Sequence, residues 1–261
     1  METLTLTDLT SHVAYVLRLA DDQLILGHRL SEWTGHAPIL EEDIALANLA
    51  LDHIGAARSL YDHASALHAE ATGNLYTEDD FAYRRDGRGF LNALLMERPN
   101  GDFAHTITRQ LLYSAYALEV WRALNGSRDE TLAAIAGKSE KEARYHVRHS
   151  GDWFVRLGDG TKESTARTIA ALEALWPYTG ELFERDTVTD QLIEAGIAAD
   201  PSVLREPWAA TIDGALEAAG LTAPSANHMH TGGRTGQHTE YLTGILDALQ
   251  SVARAHPGAA W

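Results

Sequence analysis

Thirteen histidines are the side chains of this sequence best suited to metal chemistry, since the absence of cysteine excludes thiolate metal sites, disulfides and cysteine nucleophiles. A di-iron centre in a helical bundle is held by a Glu-x-x-His pair on each of two helices and by a carboxylate on each of the other two. Residues three apart share a helix face, so both side chains of such a pair reach one ion. None of the thirteen histidines has Glu three positions before it. The sequence therefore predicts no transition metal in the core of a bundle.

Two histidine patterns come closest to ligand spacing, and both have structural explanations. Asp102 precedes His105 by three positions, but it follows a helix-breaking Pro-Asn-Gly, where Asp is a favoured helix cap. His146 and His149 have helical spacing, but Ala143 stands where a Glu would be needed. Their neighbours are strongly charged, which is typical of a solvated helix face. We therefore interpret Asp102 as a cap and the two histidines as part of a solvated surface.

The elements that carry these residues are predicted to be helices. Apolar residues recur at helical spacing along almost the entire chain, and no stretch alternates at period two for long enough to form a sheet. Four long helices exceed the usual length of about 11 to 12 residues, which favours an all-α antiparallel four-helix bundle in a single domain, 1–261. A kink is expected at Pro177. The pattern predicts helices over residues 8–33, 40–68, 90–98, 102–123, 129–157, 162–184, 203–219 and 240–255.

The second predicted helix contains polar residues in an apolar setting. Its middle, residues 44–57, is apolar on almost every face, so we expect it to be buried all round. Asn48 and Asp52 lie four apart and share a face. A buried carboxylate needs a partner, so the sequence predicts a buried structural pair here, or the remnant of a site. The candidate basic partners of Asp52 are Arg18, Arg29, Arg144 and Arg148.

The glycine-rich run TGGRTG at residues 231–236 precedes the last predicted helix. It lacks the preceding strand and the Lys-Ser/Thr pair of a phosphate-binding loop. Two interpretations stay open: a turn that leads into the helix, and a docking loop that receives a partner.

The charge and hydropathy of the chain exclude several kinds of partner. Acidic residues outnumber basic ones 37 to 21, and the net charge of −16 argues against nucleic acid or an anionic membrane. No apolar run reaches the roughly 18 residues of a membrane span. The N-terminus lacks the basic start and apolar stretch of a targeting peptide. We expect a cytoplasmic protein of ordinary globular composition.

Three stretches of the chain resemble one known family. They are RLSEWTGHAPILEEDIALANLALDHIGAAR at 29–58, KEARYHVR at 141–148, and the C-terminal TGGRTGQHTEYL with the final PGAAW. They are similar to the C subunit of the bacterial ring 1,2-phenylacetyl-CoA epoxidases, and the similarity covers essentially the whole chain. The resemblance implies a ferritin-like helical fold. It also implies assembly with a catalytic A subunit that holds a di-iron centre, with other subunits and with an NADPH-dependent reductase.

The resemblance further implies that this chain is a relative of the A subunit that has lost its metal ligands. The A-subunit motif Asp-Glu-Ala-Gly-His matches residues 52–56, where His53 replaces the ligand Glu and Ala56 replaces the ligand His. A second motif, Lys-Glu-Glu-Ser-Phe-His, matches residues 141–146. There Ala143 replaces the ligand Glu, and only His146 is kept.

Two ligand positions of the A subunit are carboxylates, and in the resemblance these fall at Gln23 on the first helix and near Ser114 on the third. Alanine cannot bind a metal, and neutral Gln or Ser ligates a hard ferric ion poorly. One clear ligand type, His146, is left of the six. The resemblance therefore implies that this chain has no catalytic residue, metal or cofactor of its own, in agreement with the histidine spacing.

Three functional hypotheses follow. The first is a non-catalytic subunit that pairs with the A subunit through an apolar surface on the long helices and forms a homodimer when alone. The second is an autonomous ferritin-like metal-binding oxidase, in which His53, His146 and His149 form an unorthodox site. The third is a homo-oligomeric helical binding protein with a small-molecule pocket. Metal analysis separates the second from the others, and co-purification with the A subunit separates the first from the third.

Overall fold

The computed structural model describes residues 9–225, 228–257 and 259, and it contains ten α-helices and no strand among these residues. The all-α class predicted from the sequence is confirmed. Four short 3-10 helices lie at Gly87–Gly89, Trp176–Tyr178, Gly180–Phe183 and Gly233–Thr235. The α-helices are α1 (Ser11–Ser31), α2 (Leu40–Thr72), α3 (Glu78–Tyr83), α4 (Leu94–Glu97), α5 (Phe103–Leu124), α6 (Glu130–Gly158), α7 (Lys162–Leu175), α8 (Thr187–Glu194), α9 (Pro201–Ala218) and α10 (Glu240–Ala255).

The starts of α5 and α10 agree with the prediction because local capping signals define them. Asp102 caps α5 as predicted, since its Oδ1 accepts a hydrogen bond from the His105 amide at 2.9 Å. The last helix, α10, has the predicted bounds, with Thr239 as its N-cap. Residue 8, where the sequence predicts the first helix to begin, lies outside the described residues.

Three segments differ from the sequence prediction. Residues 90–98 contain only the four-residue α4, whereas α3 and α8 form where the pattern predicts no helix. The fifth long helix does not continue through a kink at Pro177. Instead α7 ends at Leu175, and a 3-10 turn follows at Trp176–Tyr178. Proline lacks the N–H that would continue the hydrogen-bond ladder, and its ring crowds the preceding turn.

The chain forms two compact units. The first comprises Met1–Glu97 with Gly232–Trp261, and the second comprises Arg98–Thr231. The expectation of a single domain stays a prediction. In the described part of the chain, no helix is both long enough and apolar enough to cross a membrane.

The first unit is built on the long α1–α2 pair, with α3, α4 and α10 packed around it. The helices α1 and α2 approach closely at Gly27, where an added Cβ would lie 2.9 Å from Ile54 Cγ1 and 3.2 Å from the Ala50 carbonyl oxygen. Any larger residue at this position would push the pair apart. The fully buried core of this unit includes Val16, Leu17, Ile25, Leu46, Leu49 and Leu60.

The second unit is built on the α5–α6 pair, with α7 and α9 packed against α5. Trp208 of α9 is buried, and its indole Nε1 donates a hydrogen bond to the Leu112 carbonyl at 2.9 Å. Its ring meets Phe183 at a centroid distance of 5.1 Å and an angle of 61°. A large apolar ring whose single donor is satisfied fixes α9 against the middle of α5.

One face of α2 is exposed to solvent, so the expectation that this helix is buried all round is wrong. Leu40, Ile44 and Leu51 are 72%, 54% and 66% exposed. Asn48 is also exposed and Asp52 is half-buried, so the predicted buried pair is wrong as well. Alanines make almost every face of residues 44–57 apolar in composition, and composition does not tell which face other helices cover.

Candidate functional site

Two of the six positions that the resemblance aligns with metal ligands bind each other in the first unit. Gln23 of α1 and His53 of α2 are both 3% exposed, and Gln23 Oε1 lies 2.5 Å from His53 Nδ1. An amide oxygen can only accept, so His53 Nδ1 is the donor in this arrangement. The helices bring the two residues together because the α1–α2 pair packs along its length. A hydrogen bond between two side chains therefore stands at these two positions.

The third position of the first unit is Ala56, which lies one helical turn beyond His53 and is 5% exposed. Its methyl group carries no donor or acceptor. It fills interior space where the resemblance places a ligand histidine. The first unit thus supplies an imidazole and an amide that bind each other, and no carboxylate, at its three aligned positions.

The second unit holds the other three positions, Ser114, Ala143 and His146, which are buried at 1%, 4% and 3% exposure. Ser114 Oγ accepts a hydrogen bond from Gln110 Nε2 at 3.0 Å along α5. The burial of His146 shows that placing it on a solvated face is wrong. His149 is half-buried and its ring stacks on Tyr145 at 6.1 Å.

These six side chains do not fit a di-iron centre. Such a centre requires several carboxylates to balance the charge of two hard cations. The aligned positions offer two histidines, one amide, one hydroxyl and two methyl groups. Two of the polar groups are already joined by a hydrogen bond.

Next to Gln23 on α1 lies a charged network that the sequence analysis missed. Asp21 and Arg85 are both fully buried, and the Arg85 guanidinium donates to both carboxylate oxygens of Asp21, at 2.5 and 3.0 Å. The Tyr61 hydroxyl donates to the same carboxylate at 2.5 Å. Burial and the adjacent Asp21 carboxylate raise the pKa of Tyr61 well above its usual value. The phenol is therefore held in its protonated, donating form.

The glycine-rich run is bound within its own unit through Arg234. Its guanidinium donates to both oxygens of the buried Asp22, at 2.9 and 2.7 Å. A Cβ at Gly233 would collide with the Asn92 carbonyl oxygen, and one at Gly236 would lie 2.5 Å from the Arg88 carbonyl oxygen. Of the two interpretations of this run, the turn that leads into α10 is correct. The docking loop stays a prediction, because part of the run is exposed.

A second ionic contact joins the start of α10 to the end of α4. Glu97 is fully buried and accepts from His238 Nδ1 at 2.7 Å and from the Thr239 hydroxyl at 2.7 Å. His238 Nε2 lies 2.8 Å from the Phe90 carbonyl oxygen. Burial opposes protonation of His238, but the hydrogen bond to Glu97 and its negative charge raise the pKa above its ordinary value. Two acceptors on one ring favour the imidazolium, in which both nitrogens donate.

The sequence contains signals for these buried ion pairs, but each signal is weak when taken alone. Asp21 and Asp22 interrupt the apolar stretch of the first helix, and the stretch from Arg234 to Thr239 is part of the resemblance. Nothing in their spacing connects residues that lie as much as 212 positions apart.

Comparison with known proteins identifies the family to which the chain belongs. A family model described as "Phenylacetic acid catabolic protein" matches residues 2–261. The chain belongs to this family. Its members have a ferritin-like helical fold, which agrees with the all-α architecture and confirms the predicted fold class.

One curated relative of the chain is the C subunit of the 1,2-phenylacetyl-CoA epoxidase of Escherichia coli (strain K12). The two sequences are 45% identical over 248 residues, which are 95% of this chain and 98% of the relative. The resemblance drawn from the three sequence stretches is thereby confirmed.

Proposed function

We propose that this chain is the non-catalytic structural subunit of a multicomponent phenylacetyl-CoA 1,2-epoxidase. In this role it pairs with and stabilises the di-iron catalytic A subunit, as part of aerobic phenylacetate catabolism in the cytoplasm. The observation that carries the proposal is the Gln23–His53 hydrogen bond, in which an amide and an imidazole at two aligned ligand positions bind each other. The name of the 45% identical relative supports the choice of complex.

The proposed division of labour follows from the side chains. Activation of dioxygen is the chemistry of a metal or organic cofactor, and the protein supplies binding and orientation. In this proposal the A subunit holds the di-iron centre, the reductase supplies electrons from NADPH, and the other subunits complete the complex. This chain supplies a rigid helical surface for the A subunit. Without that partner, we expect a homodimer.

Co-expression with the catalytic A subunit tests the pairing. The intact complex, measured by native mass spectrometry, should contain both chains, and its turnover of phenylacetyl-CoA with reductase should depend on this chain. The A subunit with reductase alone should turn over poorly. Full activity of the A subunit in the absence of this chain would reject the proposed role.

Metal analysis tests the non-catalytic part of the proposal. Protein made alone in iron-replete cells should contain only trace iron, because the aligned positions lack carboxylates. The His146→Ala variant, which removes the one clear ligand type, should have the same metal content as the unmodified chain. A full di-iron complement that disappears in His146→Ala would instead support an autonomous metal-binding oxidase.

A further inference from the structure

The exposed apolar residues of α2 form one continuous face. Ile44 and Leu51 follow Leu40 by 4 and 11 residues, close to one and three turns of an α-helix, so all three point the same way. Leu40, Ile44 and Leu51 are 72%, 54% and 66% exposed. Single exposed apolar residues are common on protein surfaces, but a contiguous row on a long helix marks an interaction site.

The same face continues beyond Leu51 through a glycine to a charged end. Gly55 lies one turn on, and an added Cβ there would meet no atom within 4 Å. Arg58 and Asp62 follow at the spacing of one turn each. The face from Leu40 to Asp62 is therefore about 33 Å long, at 1.5 Å per residue. We call it the α2 face.

A groove adjoins the charged end of the α2 face, between α2 and α3. Its volume is about 260 Å³. The apolar part of its lining comes from Leu24, Ile54, Ala57 and Ala82, and its polar part from Arg58, Glu78, Asp79 and the two tyrosines Tyr61 and Tyr83. An apolar floor with a polar rim is the usual form of a site that takes a side chain with an aliphatic stem and a polar head.

The rim of the groove has an excess of negative charge. Arg58 bonds Glu78 at 3.1 Å, a second carboxylate of the lining is Asp79, and Asp62 lies beside the groove in contact with Glu78. Partial burial and the neighbouring Glu78 raise the pKa values of both Asp62 and Asp79. Carboxylates crowded in this way are stabilised by an additional cation. The groove therefore complements a lysine or arginine.

We propose that the α2 face is the docking surface for a helix of the catalytic A subunit, which covers Leu40, Ile44 and Leu51 with apolar side chains and places a lysine or arginine in the groove. This inference rests on the proposed function, because it names the surface through which the two subunits meet. A second copy of this chain is the less favourable occupant, since it carries the same net charge of −16. The catalytic partner is expected to be basic at this contact.

A matched pair of variants tests the apolar part of the α2 face. Leu51→Arg places a charge on this face, and Val203→Arg places the same charge on α9 at nearly equal exposure, 66% against 64%. The affinity of each purified chain for the A subunit is measured by titration calorimetry. We expect Leu51→Arg to weaken binding at least about tenfold and Val203→Arg to leave it within about twofold.

Two further pairs of variants guard against loss of folding and test the groove. Ile44→Gln on the α2 face and Val252→Gln on α10 have starting exposures of 54% and 55%. Asp79→Asn removes one rim charge, and Asp213→Asn removes a charge from the exposed side of α9. Asp79→Asn should weaken binding and make it less sensitive to salt, whereas Asp213→Asn should change neither.

The outcomes separate the two proposals. If the unmodified chain binds the A subunit and the α2-face variants bind equally well while remaining folded by circular dichroism, the docking surface is wrong and the pairing stands. If the unmodified chain does not bind the A subunit, both proposals fail. If the variants abolish only self-association of this chain, the occupant is a second copy, and the assignment to the A subunit is overturned.

Discussion

The two units of the chain stabilise their buried polar groups in different ways. In the first, ion pairs join residues distant in sequence: Asp21 and Arg85 are 64 positions apart, and Asp22 and Arg234 are 212 apart. In the second, the partners are close in sequence: the fully buried Arg109 donates to the Arg98 carbonyl and to Asn100 Oδ1, and buried hydroxyls bond to carbonyls of their own helices, as Ser150 does to His146 at 2.7 Å. Thr108 and Thr168 follow the same pattern, each bonding to the carbonyl four positions earlier.

This difference determines what a substitution leaves behind. Removal of one member of a buried ion pair leaves an uncompensated charge in a low-dielectric interior, which is strongly destabilising. Removal of a hydroxyl that bonds to a helix carbonyl leaves that carbonyl in its backbone hydrogen bond, and the hydroxyl itself contributed little. Deletion of an ion-pair partner in the first unit should therefore cost far more stability than deletion of a helix-bonded hydroxyl in the second.

The largest effect is expected for Asp21→Ala. This variant leaves the fully buried Arg85 guanidinium and the Tyr61 hydroxyl without their shared acceptor. The free energy of unfolding should fall by about 3–5 kcal/mol. Urea unfolding followed by circular dichroism measures it. Replacement of both partners in Asp21→Leu/Arg85→Met should recover much of the loss, and a loss below about 1 kcal/mol in the single variant would show that the pair is not buried in solution.

A smaller loss of stability is expected for Arg234→Ala. The Arg234 side chain is 15% exposed, so in the variant water can replace part of its hydrogen bonding to Asp22. The free energy of unfolding should fall by roughly 1.5–3 kcal/mol. Hydrogen exchange should accelerate in α10 more than in α5, since this contact fastens the C-terminal segment within its own unit. The matched control is Arg167→Ala, whose side chain is 53% exposed and whose surface ion pairs should contribute little to stability. Equal losses of unfolding free energy in Arg234→Ala and Arg167→Ala would contradict the expected difference between a buried and an exposed ion pair.

Two histidines should give the units opposite pH dependences. The pKa of His238 is raised above 6.5, so its stabilising contribution is complete below pH 6.5 and is lost as the pH rises through the raised value. Burial, followed by the nearby Arg109, lowers the pKa of His105 from 6.5 to about 4. Protonation of His105 therefore costs stability as the pH falls from 6.5 towards 4.

Replacing each histidine by glutamine tests the alkaline and the acidic loss of stability separately. His238→Gln should flatten the decline of unfolding free energy on the alkaline side of pH 6.5, and His105→Gln should flatten the decline on the acidic side. Unfolding free energies measured from about pH 4 to about pH 9 give both slopes. A His238→Gln curve parallel to that of the unmodified chain would mean that the Glu97 contact does not favour the charged ring.

The smallest effect is expected for Ser150→Ala in α6. The Ser150 hydroxyl donates to the His146 carbonyl, which is already part of the helix ladder. The change in unfolding free energy should stay within about 0.5 kcal/mol, because alanine has the higher helix propensity. A loss comparable to that of Asp21→Ala would remove the proposed distinction between the units.

Local signals explain which parts of the fold the sequence predicts well. The N-cap Asp102 and the bounds of α10 depend on residues within one turn, so they can be read from the chain directly. Short helices such as α3 and α8 escape the periodicity test because they are too short to establish a period. The end of α7 at Leu175 depends on how the turn at Pro177 packs, and the proline alone did not predict it.

By itself, the sequence determined the all-α class, the family and the absence of Glu-x-x-His pairs, because periodicity, long similar stretches and ligand spacing are properties of the chain alone. Only the tertiary structure decided that Gln23 binds His53, that Arg85 and Arg234 neutralise the two aspartates of α1, and that one face of α2 is left exposed. Burial and ion pairing depend on which helix faces meet. When a helix segment is apolar on almost every side, its sequence does not show which face packs against other helices.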